Sequence, residues 1–425
     1  MNPTYDGIQS LPPCPYSRPV EVIREDEYPH MKQGIYLDHS GTTIYARTLI
    51  DRFAHKMSTN LYGNPHSANQ PAKISGDMVD AVRAKALRFL GADPRHFDLV
   101  FVSNATAAIK LVADSFRDLA EQTRSGRFWM GRVFNDPEAA PDFACVSFYK
   151  IFGFPDLGGL VVRRDSGHIL ALRRYFGGGT VSMVSAIGGA WHVSKGLEAA
   201  NAGQAGEADG HAHGLHEGLE DGTLPFHSIL ALGEAIDVHR ELYGSMENIS
   251  LHTTRLVRRL YEGISSLRYA NGQPLCKVYC ENVEEFGDAA RQGATVAFNV
   301  FCEDGSYVPY STVEHAANER GIYVRSGGIC CPGGIFSSLG YEPWQLKRAR
   351  SAGHHCGSDG LSIINELPTG VVRASLGAMS TTQDVDAFVS FLHGAFIEGR
   401  LHQRVPPEME TEMEHVTPQP AYSTG

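Results

Sequence analysis

Apolar residues along this chain fall into two patterns that take turns. Three- and four-residue spacing predicts helices over "RTLIDRFAHKMS" (47–58) and "ANQPAKISGDMVDAVRAKALRFLGA" (68–92), the second stopping at Gly91. "FDLVFVSNATAAIKLVADSFRDLAEQ" is the clearest unit: a strand over 98–103 feeds a helix with Asn104 at its N-cap. "GIYLDHSGTT" (34–43) reads as a strand running into a turn. "FACVSFY" and "GGLVVRR" read as strands on either side of a Gly- and Pro-rich turn, and "HILALRRYF" as a short helix. Residues 199–222 are polar and Gly-rich and predict a long loop, followed by helical spacing from Leu224 to Leu267. "GATVAFNVF", a helix near 311–320, "GIYVRS", a helix near 343–350 and "GVVRASLG" complete the alternation. Strands alternating with helices predict an α/β fold. The first twenty residues read as a proline-rich lead-in, and the tail after about 402 as disordered.

Composition narrows the function classes. The length exceeds what one hydrophobic core usually fills, so a large domain and a smaller one are expected among the 425 residues. A net charge of −11 argues against a nucleic-acid partner. No apolar run is long enough to span a bilayer, and no signal pattern is visible. Eight cysteines in so long a chain point to a reducing, cytoplasmic setting rather than a disulfide scaffold. Neither "CKVYC" nor His354-His355-Cys356 has zinc-ligand spacing, so no metal is expected.

Candidate chemistry begins at Lys150, in "ACVSFYKIFGFPDLGG" (144–159). A lysine after a strand of aromatic and β-branched residues is either partly desolvated for amine chemistry or lies along apolar surface with its head in water. The "SNATAAIK" turn offers backbone N–H groups at a helix N-terminus beside Asn104 and Thr106, as an anion cradle or an ordinary cap. "YFGGGT" (175–180) and "EDGT" (220–223) are further Gly-then-Thr turns. In "VRSGGICCPGGIF" (324–336), glycines and prolines around Cys330 and Cys331 exclude a regular element and place a thiol on a movable loop. Arg325 and Arg373, at strand ends, could each clamp a carboxylate, and His39 and His66 sit in turns.

The order of "YLDHSGTT", "LYGNPHS", "FVSNATAAIKLV", "FACVSFYKIFGFPDLGGLVVRR", "YFGGGT", "EDGTLPF", "VRSGGICCPGG", "HHCG" and "PTGVVRASLGAMSTTQDVDAFVSFL" resembles the N-terminal, cysteine-desulfurase-like module of the molybdenum cofactor sulfurases. The resemblance covers about Gly34 to Leu392. It implies an α/β, type I pyridoxal-phosphate transferase fold of class V, a homodimer with a large mainly parallel-sheet domain and a small α+β C-terminal domain. Its domains would be a 1–33 extension, a 34–230 cofactor-binding domain, a 231–400 small domain and a 401–425 tail. It implies that Lys150 carries pyridoxal 5′-phosphate and that Asn104, Ala105 and Thr106 hold its phosphate, while Thr223 reaches a partner subunit's cofactor. Arg373, with His39, would bind substrate, and Cys330 would take sulfur from L-cysteine as a persulfide for an acceptor protein or cofactor. The implied activity is cysteine desulfurase-like sulfur transfer. The alternatives are a class V aminotransferase-like or C–S lyase activity in a biosynthetic pathway, or a catalytically dead truncated homologue.

The chain also departs from that family. The stretch near 125–140 is much shorter than the family's interval between the phosphate turn and the lysine, so the large domain is expected to be incomplete. The family's interval supplies the histidine stacked on the cofactor ring and the aspartate paired with its pyridine nitrogen. Asp136, Glu138 or Asp142 would have to replace that aspartate. Gly328 and Ile335 stand where the family's loop has further cysteines, and Cys331 is an added one. The sulfurases' additional domain for the molybdenum cofactor is not expected in this chain.

Overall fold

The computed structural model describes residues 14–123, 140–171, 173–195, 214–280, 282, 285–328, 332–351, 353–355 and 361–399. The tail after 402 therefore lies outside the described residues. In chain order the strands are β1 (Ile35–Tyr36), β2 (Phe97–Val102), β3 (Phe143–Ser147), β4 (Gly158–Arg163), β5 (Val181–Ser185), β6 (Trp191–Ser194), β7 (Cys276–Val278), β8 (Thr295–Val300), β9 (Ile322–Tyr323), β10 (Arg325–Gly327), β11 (Ile363–Ile364), β12 (Leu367–Pro368) and β13 (Val371–Ser375). The described residues divide into two units, one taking in 14–30 and 39–249, the other 31–38 and 250 onward. The division falls at 249–250 because the Phe226–Tyr243 helix belongs to the first unit, where its Gly233 lets Val82 of the Gln70–Phe89 helix approach closely.

In the first unit the sheet runs β2-β4-β3. Both of its ladders are antiparallel, because β4 runs opposite to its two neighbours. The physical reason is chain length. Only residues 148–157 join β3 to β4, too few for the crossover that parallel neighbours require. β2 and β3 still point the same way, on either side of β4. The Ala105–Thr123 helix covers one face, where Ala108 and Val112 pack with Val100, Leu160 and Val162. Two elements escaped the sequence pattern. Val20–Glu27 is a helix, with Val20 and Ile23 buried, within the expected 1–33 extension. β5 and β6 form a hairpin whose exposed apolar residues do not alternate inward and outward.

The second unit holds the antiparallel sheet β10-β13-β8-β7. Val296, Phe298, Val300, Val372 and Ala374 line one face and pack with Leu256, Leu260, Val313, Val385 and Phe388 from three helices. That is the expected α+β arrangement. The segment 324–336 is more regular than its glycines suggested. β10 ends at Gly327, whose φ of 103° suits glycine, and a helix begins at Pro332, whose fixed φ favours the first helical position.

Candidate active site

β2 and β3 end side by side in the first unit, with Gly158 of β4 in register between Val102 and Ser147. Ligands of α/β sheets gather at such carboxyl ends. Beyond β2 the chain turns directly into the Ala105–Thr123 helix, and the Asn104 side chain accepts the Ala107 N–H at 3.0 Å, confirming the predicted cap. The Ser147 hydroxyl, which sequence reasoning passed over, accepts the Ala105 N–H at 3.0 Å and ties β3 to the turn. Gly158 is the floor: a methyl group there would lie 2.5 Å from Asn104 Cα and 2.6 Å from its carbonyl carbon. Thr106 is exposed on the first turn, whose N–H groups have no intrahelical acceptor.

Lys150 lies three residues past Ser147, on the single helical turn Tyr149–Phe152 rather than at a strand end. Phe148 and Phe152, four residues apart, take the inward face of that turn, so the lysine between them points outward and is exposed. Of the two readings open for this lysine, the exposed one holds here, its Nζ 3.5 Å from the Ser40 carbonyl. The "HSGTT" segment wraps this turn. The Thr42 hydroxyl donates to the Tyr149 carbonyl at 3.2 Å, and Gly153, with a φ of 77°, leaves room for the Thr43–Tyr45 backbone. Buried His39 is hydrogen-bonded to Thr43 at 2.9 Å, so this candidate is linked to the lysine turn. Behind Phe152 sits His239, edge-on at 5.2 Å, and burial pushes its imidazole down from 6.5 to about 4.

The two Gly-Thr turns meet each other. The Gly222 N–H donates to the Gly178 carbonyl at 2.8 Å, and Arg173 forks onto Asp221 at 2.7 and 2.8 Å. Thr223 is exposed, and among the described residues no hydrogen bond joins it to the Asn104 turn. His66 lies against Gly179. Glu220, just before these residues, is the main feature that the sequence hid. It accepts the Phe101 N–H at 2.7 Å and pairs with buried Arg83 at 2.6 and 3.0 Å, while Arg83 also donates to the Leu99 carbonyl. Side chains thereby complete the β2 edge as a neighbouring strand would. Asp98 adds to the seal by accepting the His216 ring N–H at 2.9 Å. Burial raises its carboxyl, but His216 and the nearby arginines outweigh that and hold it well below the usual range.

A cavity of about 510 Å³ opens beside the turn, lined by Val102, Ser103, Ala107, Arg173, Arg174 and Asp221 among others. Lys150 does not line it, and Arg173 is already paired with Asp221, so it is not where amine chemistry would run. In the second unit, Arg373 is central in β13 rather than at a strand end, and its Nε is buried without a hydrogen-bond partner among the described residues. Cys330 and Cys331 lie outside the described residues, as do Asp136 and Glu138. Asp142 is placed, and it cannot serve a ring above the turn. It sits at the opposite end of β3, about 16 Å of extended chain from Ser147, bonded to Ser166 at 2.6 Å and near Arg163. Among the described residues no group of three His, Cys, Asp or Glu side chains could hold a metal ion, and no helix is long and apolar enough to cross a membrane.

The donor set fits the phosphate and aldehyde ends of pyridoxal 5′-phosphate. The Thr106 N–H, with those of Ala105 and Ala107 already given to Ser147 and Asn104, and the hydroxyls of Thr106 and Ser147 suit an anion, the Gly158 floor brings backbone close, and an accessible amine stands on the next turn. The class-V aminotransferase family model matches residues 35–125 and 136–388, breaking where the chain is short. The molybdenum cofactor sulfurase of Aspergillus niger is 40% identical over 489 residues, covering 95% of this chain and 57% of that protein. That of Chaetomium globosum is 40% identical, covering 89% and 57%. The chain thus spans just over half the length of these relatives, yet the first alignment is longer than the chain itself, so the relative carries residues without a counterpart here. Among solved structures, the cysteine desulfurase of Thermococcus onnurineus NA1 superposes with a TM-score of 0.61 at 16% identity, over 90% of this chain and 99% of that one. The cysteine desulfurase CsdA of Escherichia coli gives 0.57 at 16%, over 89% and 98%. At such identity these likenesses establish the fold, and the family-model match covers most of the sequence: the chain belongs to the class-V aminotransferase family.

Proposed function

We propose that this chain is a pyridoxal-phosphate-dependent, sulfur-mobilising enzyme of the cysteine desulfurase type, acting on L-cysteine. The observation that carries the reading is that the Asn104–Thr106 turn and Ser147 meet over Gly158, with Lys150 exposed on the helical turn that follows Ser147. The Thr106 N–H and the hydroxyls of Thr106 and Ser147, on the turn that Asn104 and Ala105 shape, would hold the phosphate, and Lys150 the aldehyde carbon. When bound, the cofactor acts as an electron sink for bonds at the substrate α-carbon. Arg373, whose buried Nε has no hydrogen-bond partner among the described residues, would take the substrate carboxylate. The Cys330 thiolate would attack the substrate sulfur, so that the carbon–sulfur bond breaks, a sulfur–sulfur bond forms, and alanine leaves with the proton. The sulfur would then pass to an acceptor protein or cofactor. We also propose a homodimer in which Thr223 reaches the partner's cofactor. In support, Tyr175, Met183, Val184, Ile187 and Trp191 are exposed on and beside the β5–β6 hairpin.

A specific observation favours a second reading, a catalytically silent homologue. The alignment to the Aspergillus niger relative exceeds the chain's length, and Asp142 is excluded as the ring's partner. The visible spectrum separates the two. Purified protein incubated with the cofactor should gain the long-wavelength band of a lysine-bound pyridoxal, and Lys150→Ala should remove it. Added L-cysteine should release alanine and add one sulfur to Cys330 by mass spectrometry. A wild type with no band refutes the enzyme reading, while a band without alanine release favours the silent one.

A further inference from the structure

β10 and β13 place two arginines directly opposite each other, Arg325 against Arg373. Opposed residues of an antiparallel pair share a face, and like charges so placed repel. The face is not the one that builds the core, since Val372 and Ala374, which alternate with Arg373, are the buried ones. A third group reaches this face. Asp38 bridges to Ser375, two residues beyond Arg373, and its backbone is pinned there by the Ser375 N–H donating to the Leu37 carbonyl at 2.7 Å. Its carboxylate lies 3.8 Å from Arg325 Nη1. The Tyr36 hydroxyl, which donates to the Asp38 carbonyl at 3.3 Å, fixes the same backbone. The two guanidinium groups are therefore unequal: one has a fixed counter-charge, and the other keeps a buried Nε without a partner among the described residues.

We propose that Asp38 determines substrate charge at this face: by neutralising Arg325 it leaves Arg373 as a single uncompensated guanidinium, which selects amino acids with one carboxylate over those with a second acidic group. A buried guanidinium edge demands a planar acceptor, and one carboxylate satisfies it. A second acidic group would meet Arg325 only by displacing Asp38, leaving that carboxylate against an anion. Without Asp38 the paired arginines would form a two-cation site suited to a dianion. The inference rests on the reading of Arg373 as the carboxylate site and adds which acids it admits.

The test uses carboxylate probes and needs no turnover. The unfolding temperature of the full chain is followed against propionate and malonate, and the shifts give dissociation constants by linkage. The wild type is expected to bind malonate no more tightly than propionate. Asp38→Asn should tighten malonate about tenfold or more and change propionate less than threefold. Unchanged malonate affinity in that variant overturns the proposal, as does a wild type that already prefers malonate tenfold. Should Asp38→Asn fail to fold, Arg325→Gln decides: with Asp38 left facing Arg373, propionate should weaken about tenfold, and an unchanged value overturns the proposal. Arg373→Gln should abolish binding of both probes. If it does not, the carboxylate assignment fails while the cofactor reading stands or falls separately on its absorbance band.

Discussion

Replacing Gly158 by alanine probes the floor on which the proposed phosphate turn rests. The new methyl carbon would lie 2.5 Å from Asn104 Cα, 2.6 Å from its carbonyl carbon and 2.8 Å from its nitrogen. Carbon atoms pack at roughly 3.5–4 Å, so the turn must retreat by about 1 Å. All three clashing atoms are backbone, and the turn is held by Ser147 and by the helix it starts, so no rotamer change relieves the contact. Overpacking of this kind costs about 1–3 kcal/mol. Misplacing a binding group by about 1 Å costs on the order of 100-fold in function. The assay is an absorbance titration with pyridoxal phosphate beside a denaturant melt, with Gly76→Ala as the control. Gly76 is mid-helix with nothing within 4 Å, so alanine there should stabilise by up to about 1 kcal/mol and leave cofactor binding alone. A Gly158→Ala variant with wild-type affinity and stability would refute the argument that the turn is seated on this strand.

Three further outcomes are expected. Ser147→Ala should leave the Ala105 N–H without its acceptor and weaken cofactor binding in the same titration by about tenfold, at a stability loss of about 1 kcal/mol. Glu220→Gln should strip the counter-charge from buried Arg83 and cost about 3–5 kcal/mol in a urea melt, whereas replacing Arg83 and Glu220 together by apolar residues should recover much of it. His239 is neutral when folded and takes up a proton on unfolding. Its contribution is therefore complete above pH 6.5 and is lost as the pH falls from 6.5 to about 4, by up to about 3 kcal/mol. His239→Phe should flatten that part of the stability profile between pH 7 and pH 4.5, and an unchanged slope would contradict it.

The pattern of apolar positions carried local structure well where a single period dominates. The Arg47–Thr59, Gln70–Phe89 and Phe226–Tyr243 helices, β2, β4 and β13 lie close to where the spacing puts them, and Asn104 caps the helix it was expected to cap. Failures occur where local signals are mixed. Lys150 reads as the end of a strand because Phe148, Tyr149 and Ile151 favour strands, yet residues 149–152 turn helical so that Phe148 and Phe152 can both be buried. β5 and β6 pass unnoticed because their outward apolar residues break the alternation that marks a half-buried strand.

By itself the sequence determined the alternation of helices and strands, the order of the motifs, and thus family membership, because those depend on residue type and spacing within a few turns of chain. Tertiary structure alone decided that β3 and β4 run antiparallel, that Ser147 and Gly158 complete the turn at Asn104, and that Arg83 and Glu220 seal the edge of β2. It alone showed that Asp142 is engaged by Ser166 at the far end of β3 from the turn and that Arg325 and Arg373 stand opposite each other with Asp38 beside them. Each of these is a contact between residues far apart in the chain, set by strand register and by the demand that buried polar groups find partners, and no window of sequence encodes register across a sheet.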